Sequence, residues 1–398
     1  MQDSIPATLS AASTPTPAAH GLTSLTVERI DDMAGLTALR PEWQALLQGN
    51  EADCLFLTWE WLSCWWRYIS QRRRLCLLTV RRGGELLAIA PFAIRPPEPG
   101  RLVPFRTLEF MGMGDVGSDY MDLIIRPDLE EPALEAVAAY LKQHSLVLDF
   151  RRVDAGSRRI TGLLTLLGKD GWESEQQVTD SCPYIPLKGH DWKSYIATVS
   201  RAHRANVNRR LRRLGEIFKQ VEFKRATTEE ERREYFTQFL RLHQLRWSGK
   251  ERSNAFTGEG TLAFHSEFSQ VALERGWLRL FVLRLDGEPV ASTYSFRYGD
   301  AFYYYQAGLD PKLAEHSVGL ATLGLAVQSA IKEGVSRYDL LHGNLGYKAL
   351  WTHATRPVSR IYCYPPNAGG ALYRQVQGLR RGLKRVMHWP AVRMEASA

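Results

Sequence analysis

Asp339, His342 and Lys348 fall close together in residues 338–351, YDLLHGNLGYKALW. A carboxylate or an imidazole can take a proton, directly or through water. A lysine can steady a developing negative charge. Tyr305 and Tyr347 add weak acids that can return a proton to a leaving group. The apolar run Tyr338 to Leu341 reads as a buried strand, and His342-Gly343-Asn344 as the loop it opens into. Trp351 follows as a packing or ligand-facing aromatic.

Two further stretches carry chemistry. In GLDPKLAEHSVGLATLGLAV, Ser317, Val318 and Gly319 open an apolar helix after the strand AFYYYQAGL. A helix start has free N–H groups and a partial positive charge, and glycine admits a ligand to the backbone, so a pyrophosphate would fit there. Ser317 can equally be a simple N-cap. In GMGDVGSDYMDL, Asp115, Asp119 and Asp122 lie in a Gly/Asp loop. Asp119 and Tyr120 are candidates for binding an acceptor. The helix start downstream, RPDLEEPALEAV, lacks glycine, and its acids would repel a pyrophosphate.

The elements that must position these residues repeat. Residues 75–90, LCLLTVRRGGELLAIA, align without gaps with residues 278–293, LRLFVLRLDGEPVAST. Each copy reads as strand, tight turn at Gly-Gly or Asp-Gly, and strand, because a primed turn needs positive φ. A helix and a strand follow in both halves, ending at Asp149 in the first and containing Asp339 in the second. Two such modules imply a duplication, with a break over residues 179–192. Trp192, Ile196, Val199, His203, Val207, Leu211 and Leu214 step by three or four in a helical region between them. Six arginines crowd residues 201–213. They read as a solvated face, as a contact for an anionic acceptor, a carrier protein or cofactor phosphates, or as a nucleic-acid grip. Arg204 is the candidate acceptor contact among them. In FLTWEWLSCWWRYI, Thr58 is an N-cap candidate, and Trp59, Leu62, Trp66 and Ile69 share a face. That helix is an aromatic core element, or one that turns Trp59 and Trp61 to a ligand groove.

The totals narrow the class. The 398 residues are 44% hydrophobic with eleven tryptophans, enough for a sizeable core. Five cysteines without a C-x-x-C pair predict neither a zinc ribbon nor a disulfide framework, and fit a reducing cytosol. No metal motif, G-x-S-x-G or Walker loop occurs. The start reads as a Pro/Ala/Thr tail rather than a signal peptide. No apolar run is long enough for a span. Net charge is +8 and the pI about 9.2, which favours anionic partners. Without a zinc, helix-turn-helix or RNP pattern, nucleic acid is not expected. After Pro366, Leu372, Val376, Leu379, Leu383, Val386 and Met387 make one face of a helix. Arg374, Arg380, Arg381, Lys384 and Arg385 make the other. This basic amphipathic helix packs on a domain or touches a membrane surface.

HSVGLA, residues 316–321, resembles the pyrophosphate loop of Gcn5-related (GNAT) acyltransferases, Arg/Gln-x-x-Gly-x-Gly/Ala. Gly319 and Ala321 match, and His316 stands where Arg or Gln is usual. A wider set resembles the CelD/BcsL-type acyltransferases linked to polysaccharide biosynthesis, duplicated folds related to the Fem peptidyltransferases. The set comprises FLTWEWLSCWW, GSDYMDLII, RANVNRRLRRL, the strand region 286–311, SVGLA and YDLLHGNLGYKALW. Relatives often have Ser-Pro-Gly where this chain has Ser317-Val318-Gly319.

The resemblance implies an α/β fold of two tandem GNAT-type modules, with mixed sheets flanked by helices. It implies acyl-CoA as co-substrate and direct transfer to an amine or hydroxyl on a saccharide or envelope precursor. The expected organisation is a tail over 1–24, an acceptor-side module over 25–185, an acyl-CoA module over 186–365 and a basic helix over 366–398. The pyrophosphate seat would be His316, Ser317, Val318, Gly319, Leu320 and Ala321. Asp339 or His342 would take the acceptor's proton, Lys348 would steady the oxyanion or an anionic acceptor, and Tyr305 or Tyr347 would protonate the sulfur. Asp119, Tyr120, Trp59, Arg204 and Trp351 would contact the acceptor. No metal is expected. The protein would be cytoplasmic, at most peripheral to a membrane. A Fem-like transfer from aminoacyl-tRNA and a non-catalytic module that recruits an assembly partner are the rival expectations.

Overall fold

The repeated hairpin sequences fold as repeated hairpins. The computed structural model describes residues 24–97, 105–248, 256–343 and 346–388, with backbone alone over 380–388. The first half supplies strands β1 (Leu25–Ile30), β2 (Arg74–Arg82), β3 (Glu85–Arg95), β4 (Thr107–Phe110), β5 (Ile124–Ile125), β6 (Val147–Asp154) and β7 (Glu173–Pro186). The second supplies β8 (Val221–Arg225), β9 (Leu278–Leu285), β10 (Glu288–Tyr298), β11 (Ala301–Leu309), β12 (Arg337–Asp339) and β13 (Thr355–Tyr364). Gly83 and Gly84 turn β2 into β3 at φ 57° and 91°, and Asp286 and Gly287 turn β9 into β10 at 48° and 87°. These are the left-handed values that a two-residue hairpin loop demands.

The pairing scheme is the same twice. β1 pairs antiparallel with β2, β2 with β3 and β3 with β4, and β4 runs parallel to β6. Likewise β8 pairs with β9, β9 with β10 and β10 with β11, and β11 runs parallel to β12. The result is a mixed sheet with helices against it, two tandem modules of one plan. Their last strands are exchanged. The order across the middle is β6-β13-β7-β12, so the final strand of each half lies beside the other half's parallel strand. The stretch read as a break, residues 179–192, therefore begins inside β7, where it pairs with both β13 and β12.

Helices lock the halves together. Thr58 caps the helix Trp59–Ile69 by accepting from the Trp61 N–H, as its sequence predicts. That helix is buried nearly all round rather than on one stripe, because it packs against the helix Glu259–Glu274 of the second half. The Trp61 ring meets Phe264 and Phe268 edge-on at 5.0 and 4.7 Å. The helical region expected over 192–214 is two helices, Trp192–Ile196 and Arg201–Ile217. Asp191 and Ser200 each cap a new start by accepting a backbone N–H. Competing local hydrogen bonds from such residues interrupt a helix that periodicity alone would continue.

The helix Glu229–Trp247 opens with a capping box between Thr228 and Glu231 and lies across β11. Its approach is set by Gly308, where an added Cβ would stand 2.4 Å from the His243 nitrogen and 2.7 Å from the Leu242 carbonyl carbon. Gly308→Ala must push that helix off the strand. It is expected to cost about 1–3 kcal/mol in denaturant unfolding, and an unchanged midpoint would refute this packing account.

Candidate active site

β11 and β12 run side by side only from Ala301–Arg337 to Tyr303–Asp339. Beyond that point they diverge, β11 continuing to Leu309 while β12 ends. Opposite β10, the register of β11 slips between Tyr294 and Ser295, leaving Tyr305 as a bulged residue. A bulge breaks ladder pairing and re-aims the strand. The gap opens on two cavities. One, of about 430 Å³, lies between the modules, with Gly117, Ser118, Arg152, Tyr305, Gln306 and His342 in its wall. The other, of about 210 Å³, is lined by Tyr304, Ala307, Gly319, Leu320, Leu323 and Trp351. Tyr304 and Tyr305 thus serve opposite faces, as strand alternation requires.

His342 sits at the edge of the first cavity. Its Nδ1 is 2.8 Å from Asp119 Oδ2, and its backbone N–H donates to the same oxygen at 3.3 Å. Asp119 is fully buried. Burial would raise its pKa, but His342 and, more weakly, Arg152 at 3.8 Å hold the carboxyl below the usual carboxylate range. An ionised carboxylate on Nδ1 fixes the tautomer that leaves Nε2 as the basic nitrogen. Among the described residues Nε2 makes no hydrogen bond, and His342 stays 31% exposed. Tyr120, Arg152 and Leu341, all around this pair, hold φ of 61°, 57° and 56°. Left-handed backbone at three side chains of this kind is strain of the sort that gathers at functional sites.

Asp339 supports the pair from behind. It is fully buried at the end of β12 and lines neither cavity. Tyr120 Oη donates to both its oxygens, at 3.1 and 2.9 Å, and the Leu341 N–H donates at 2.9 Å. Burial pushes its pKa up to about 6, with Arg337 opposing. On the far side of the Tyr120–Asp339 bond lies a polar cavity of about 490 Å³, whose wall includes Arg337 and Arg356. Arg356 stacks its guanidinium 4.2 Å from the Tyr120 ring centre.

Several expected roles change. Lys348 does not present a free ammonium: Nζ donates to the carbonyls of Leu340, Leu341 and His342 at 2.8, 3.1 and 2.8 Å. All three donors are committed, so it braces the turn that carries His342 and is not placed to steady an oxyanion. Asp119 is not offered to an acceptor, because its carboxylate is buried against His342. Tyr120 is buried too, its hydroxyl given to Asp339. Trp59 leaves the site altogether. Its Nε1 donates to the Leu36 carbonyl at 2.8 Å, and Arg40 covers its ring. It was the neighbour Trp61 that turned inward, donating to Ser118 Oγ at 2.8 Å. Trp351 lines the smaller cavity rather than the acceptor side. Arg204 is half-buried on its helix and lines neither cavity.

The helix expected to open at Ser317, Val318 and Gly319 is present. The helix Val318–Lys332 begins after Ser317, which is left-handed at φ 53° and makes no capping hydrogen bond. Ser317 is therefore not a simple N-cap. A Cβ at Gly319 would lie 2.8 Å from Leu309 Cδ2, so that side chain would have to shift to admit one. Leu320 continues the wall of the smaller cavity, and Ala321 is buried. His316 packs edge-on against Phe218. Tyr305 is half-buried between Trp61 and His265, and burial raises its hydroxyl pKa. Cys363 is buried on β13 with its thiol pushed up to about 12, unsuited to act as a nucleophile. The described cysteines are all free, and no cluster suited to a metal occurs among the described residues.

Two participants were invisible in the sequence. His265 is buried in the larger cavity's wall with Nδ1 unpartnered, and burial pushes its pKa down to about 3, so it is neutral. Arg152 reaches both Asp119 and Asp180. Neither lies in a local motif: Arg152 is set beside Asp119 by the Met121–Val153 bridge, and His265 by the packing of its helix on Trp59–Ile69. The first module's counterpart of Asp339 shows the contrast. Asp149 is clasped by Arg95, Arg151 and Arg360, and although burial works against them they hold its pKa at about 2.

Asp339 gives a signed prediction. Its folded pKa lies above the unfolded value of about 3.9, so the folded state binds more protons between about pH 4 and 6. Stability from this group is present below that window and lost as pH rises through it. Relative to Asp339→Asn, the wild type should lose about 2–3 kcal/mol over that range. A pH-independent difference in unfolding free energy would show that Asp339 is ionised throughout.

Residues 201–349 match the model of the acetyltransferase (GNAT) domain. No curated protein matches the sequence. Among solved structures, FemX superposes with a TM-score of 0.61 at 11% identity, covering 87% of this chain and 99% of that one. A conserved protein of unknown function from Bacteroides thetaiotaomicron gives 0.56 at 12%, covering 85% and 100%. The C-terminal DUF2156 domain of a protein described as a lysylphosphatidylglycerol synthetase, from Agrobacterium fabrum, gives 0.52 at 10%, covering 87% and 95%. At such identities the likeness is one of fold. Residues 201–349 are thus similar to the acetyltransferase (GNAT) domain, and the fold of the chain is similar to that of FemX.

Proposed function

We propose that the protein transfers an acyl group directly from acyl-CoA to an amino or hydroxyl group on a saccharide or envelope precursor. The observation that carries this is the Asp119–His342 pair, in the wall of the larger cavity where β11 and β12 part. The thioester enters from the Val318 side. Its pyrophosphate meets the helix start at Ser317, Val318 and Gly319, and its acyl end lies in the gap between the strands. The acceptor occupies the larger cavity, whose aromatic walls Tyr305 and Phe256 and polar groups Asp115, Ser118 and Gln306 suit a sugar-like molecule.

His342 Nε2 takes the proton from the attacking nitrogen or oxygen as the new bond to the carbonyl carbon forms. The resulting imidazolium is stabilised by Asp119. The backbone N–H of the bulged Tyr305 would donate to the oxyanion. The carbon–sulfur bond then breaks, and the thiolate takes its proton from the imidazolium or the Tyr305 hydroxyl. Lys348 and the Tyr120–Asp339 bond keep the His342 turn in place.

A second reading, transfer from an aminoacyl-tRNA, is favoured by one feature: Arg201, Arg209, Arg212 and Arg213 are exposed on the helix that packs beside Val318–Lys332. Loss of activity on ribonuclease treatment would select it.

A thioester that binds the folded state at a hundredfold excess over its Kd should stabilise it by about 2.7 kcal/mol. A thermal-shift series with acetyl-CoA, longer acyl-CoAs and free CoA reads this directly, and no shift with any of them would exclude the acyl-CoA reading. With a turned-over pair in hand, His342→Gln should lower kcat by about 10²–10⁴-fold with the thioester KM little changed. Asp119→Asn should act in the same direction, through the wrong tautomer. A kcat that survives both changes would remove the proposed base.

A further inference from the structure

We infer that the helix Ala368–His388 is a docking element for an anionic lipid surface. The helix leaves the sheet just after β13. Asn367 Oδ1 accepts the Gly370 N–H at 2.8 Å, and Gly370 lies so near the Pro365 carbonyl oxygen that a Cβ would come within 2.2 Å of it. Tyr373 is buried against Phe105 and Tyr364, with Val376 beside it. Arg374 pairs with Glu173, and with Glu175 at 3.5 Å. These contacts decide which side of the helix meets the body.

Only part of the apolar stripe read from the sequence meets the body: Val376 does, and Leu372 and Leu379 do not. Leu372 is 50% exposed and Leu379 69%. Seven residues apart, they share one helix face, which leaves the body uncovered. An exposed leucine pair alone would not name its partner. The charge does. Residues 368–388 hold Arg374, Arg380, Arg381, Lys384 and Arg385 and no acidic residue. Arg374 is spent on the sheet, and the other four follow within six residues. A second copy of the chain would set these cations against their own kind, with no acids to pair across the seam. An anionic bilayer meets both features at once: its headgroups take the cations, and its acyl boundary takes the leucines. The helix lies on such a surface rather than crossing it, since no described helix is long and apolar enough to span one.

The test is co-sedimentation of the full-length protein with phosphatidylcholine vesicles, with and without phosphatidylglycerol, at low and raised salt. Binding is expected only with phosphatidylglycerol and should weaken as salt screens the charge. Leu372→Glu with Leu379→Glu should reduce binding at least about tenfold, while the melting temperature stays at the wild-type value and confirms folding. Absence of binding to phosphatidylglycerol vesicles, or equal binding by the variant, overturns the inference. So does a concentration-dependent dimer that the variant breaks without any vesicle binding, which would assign the face to a second copy. None of these outcomes bears on whether the chain transfers acyl groups.

Discussion

The antiparallel ladder between β7 and β13 is the constraint from which the rest follows. It runs from Thr355 opposite Pro183 to Tyr364 opposite Glu173. Each strand closes the half to which it does not belong in sequence. A backbone ladder of that length satisfies its own polar groups, and it does so although only Cys182 and Ile185 of β7 are buried. It also fixes the two modules with respect to each other. Asp119 and His342, 223 positions apart, can then meet to within a hydrogen bond.

Duplication has left the two modules with different electrostatics on the same plan. In the first, three arginines neutralise Asp149. In the second, Asp339 has a tyrosine hydroxyl and a backbone N–H for company, with Arg337 no nearer than 3.8 Å. Its carboxyl is correspondingly pushed up. The open gap therefore belongs to the second half, which is also the half with glycine at the start of its helix. The first half contributes a loop, and through Asp119 the partner of the histidine.

Around that gap, rigidity has been arranged in layers. Lys348 ties three successive carbonyls of the His342 turn. Trp61 holds Ser118, and Ser118 Oγ donates in turn to the Gly112 carbonyl, so the Asp119 loop is braced from the interior. Strained backbone at Tyr120 and Leu341 persists because these contacts over-determine it. A dyad built across a module interface needs such support, since its two residues lie 223 positions apart.

Much of the architecture was legible along the chain. β11 matches its expected bounds, because its strand pattern is a local signal. The hairpin repeat and the helix at Val318 were legible for the same reason. The identities of Asp339, His342 and Tyr305 as groups near one gap could also be read. What each does could not. Whether Lys348 faces a ligand or three carbonyls, whether Asp119 meets solvent or an imidazole, and whether Trp59 or Trp61 turns inward all depend on contacts between distant segments. Periodicity places a side chain on a face of its own element, but only packing decides what that face meets. The sequence alone determined the modules and their chemistry-bearing residues. The exchange of final strands, a pairing between residues nearly two hundred positions apart, decided which of them work together.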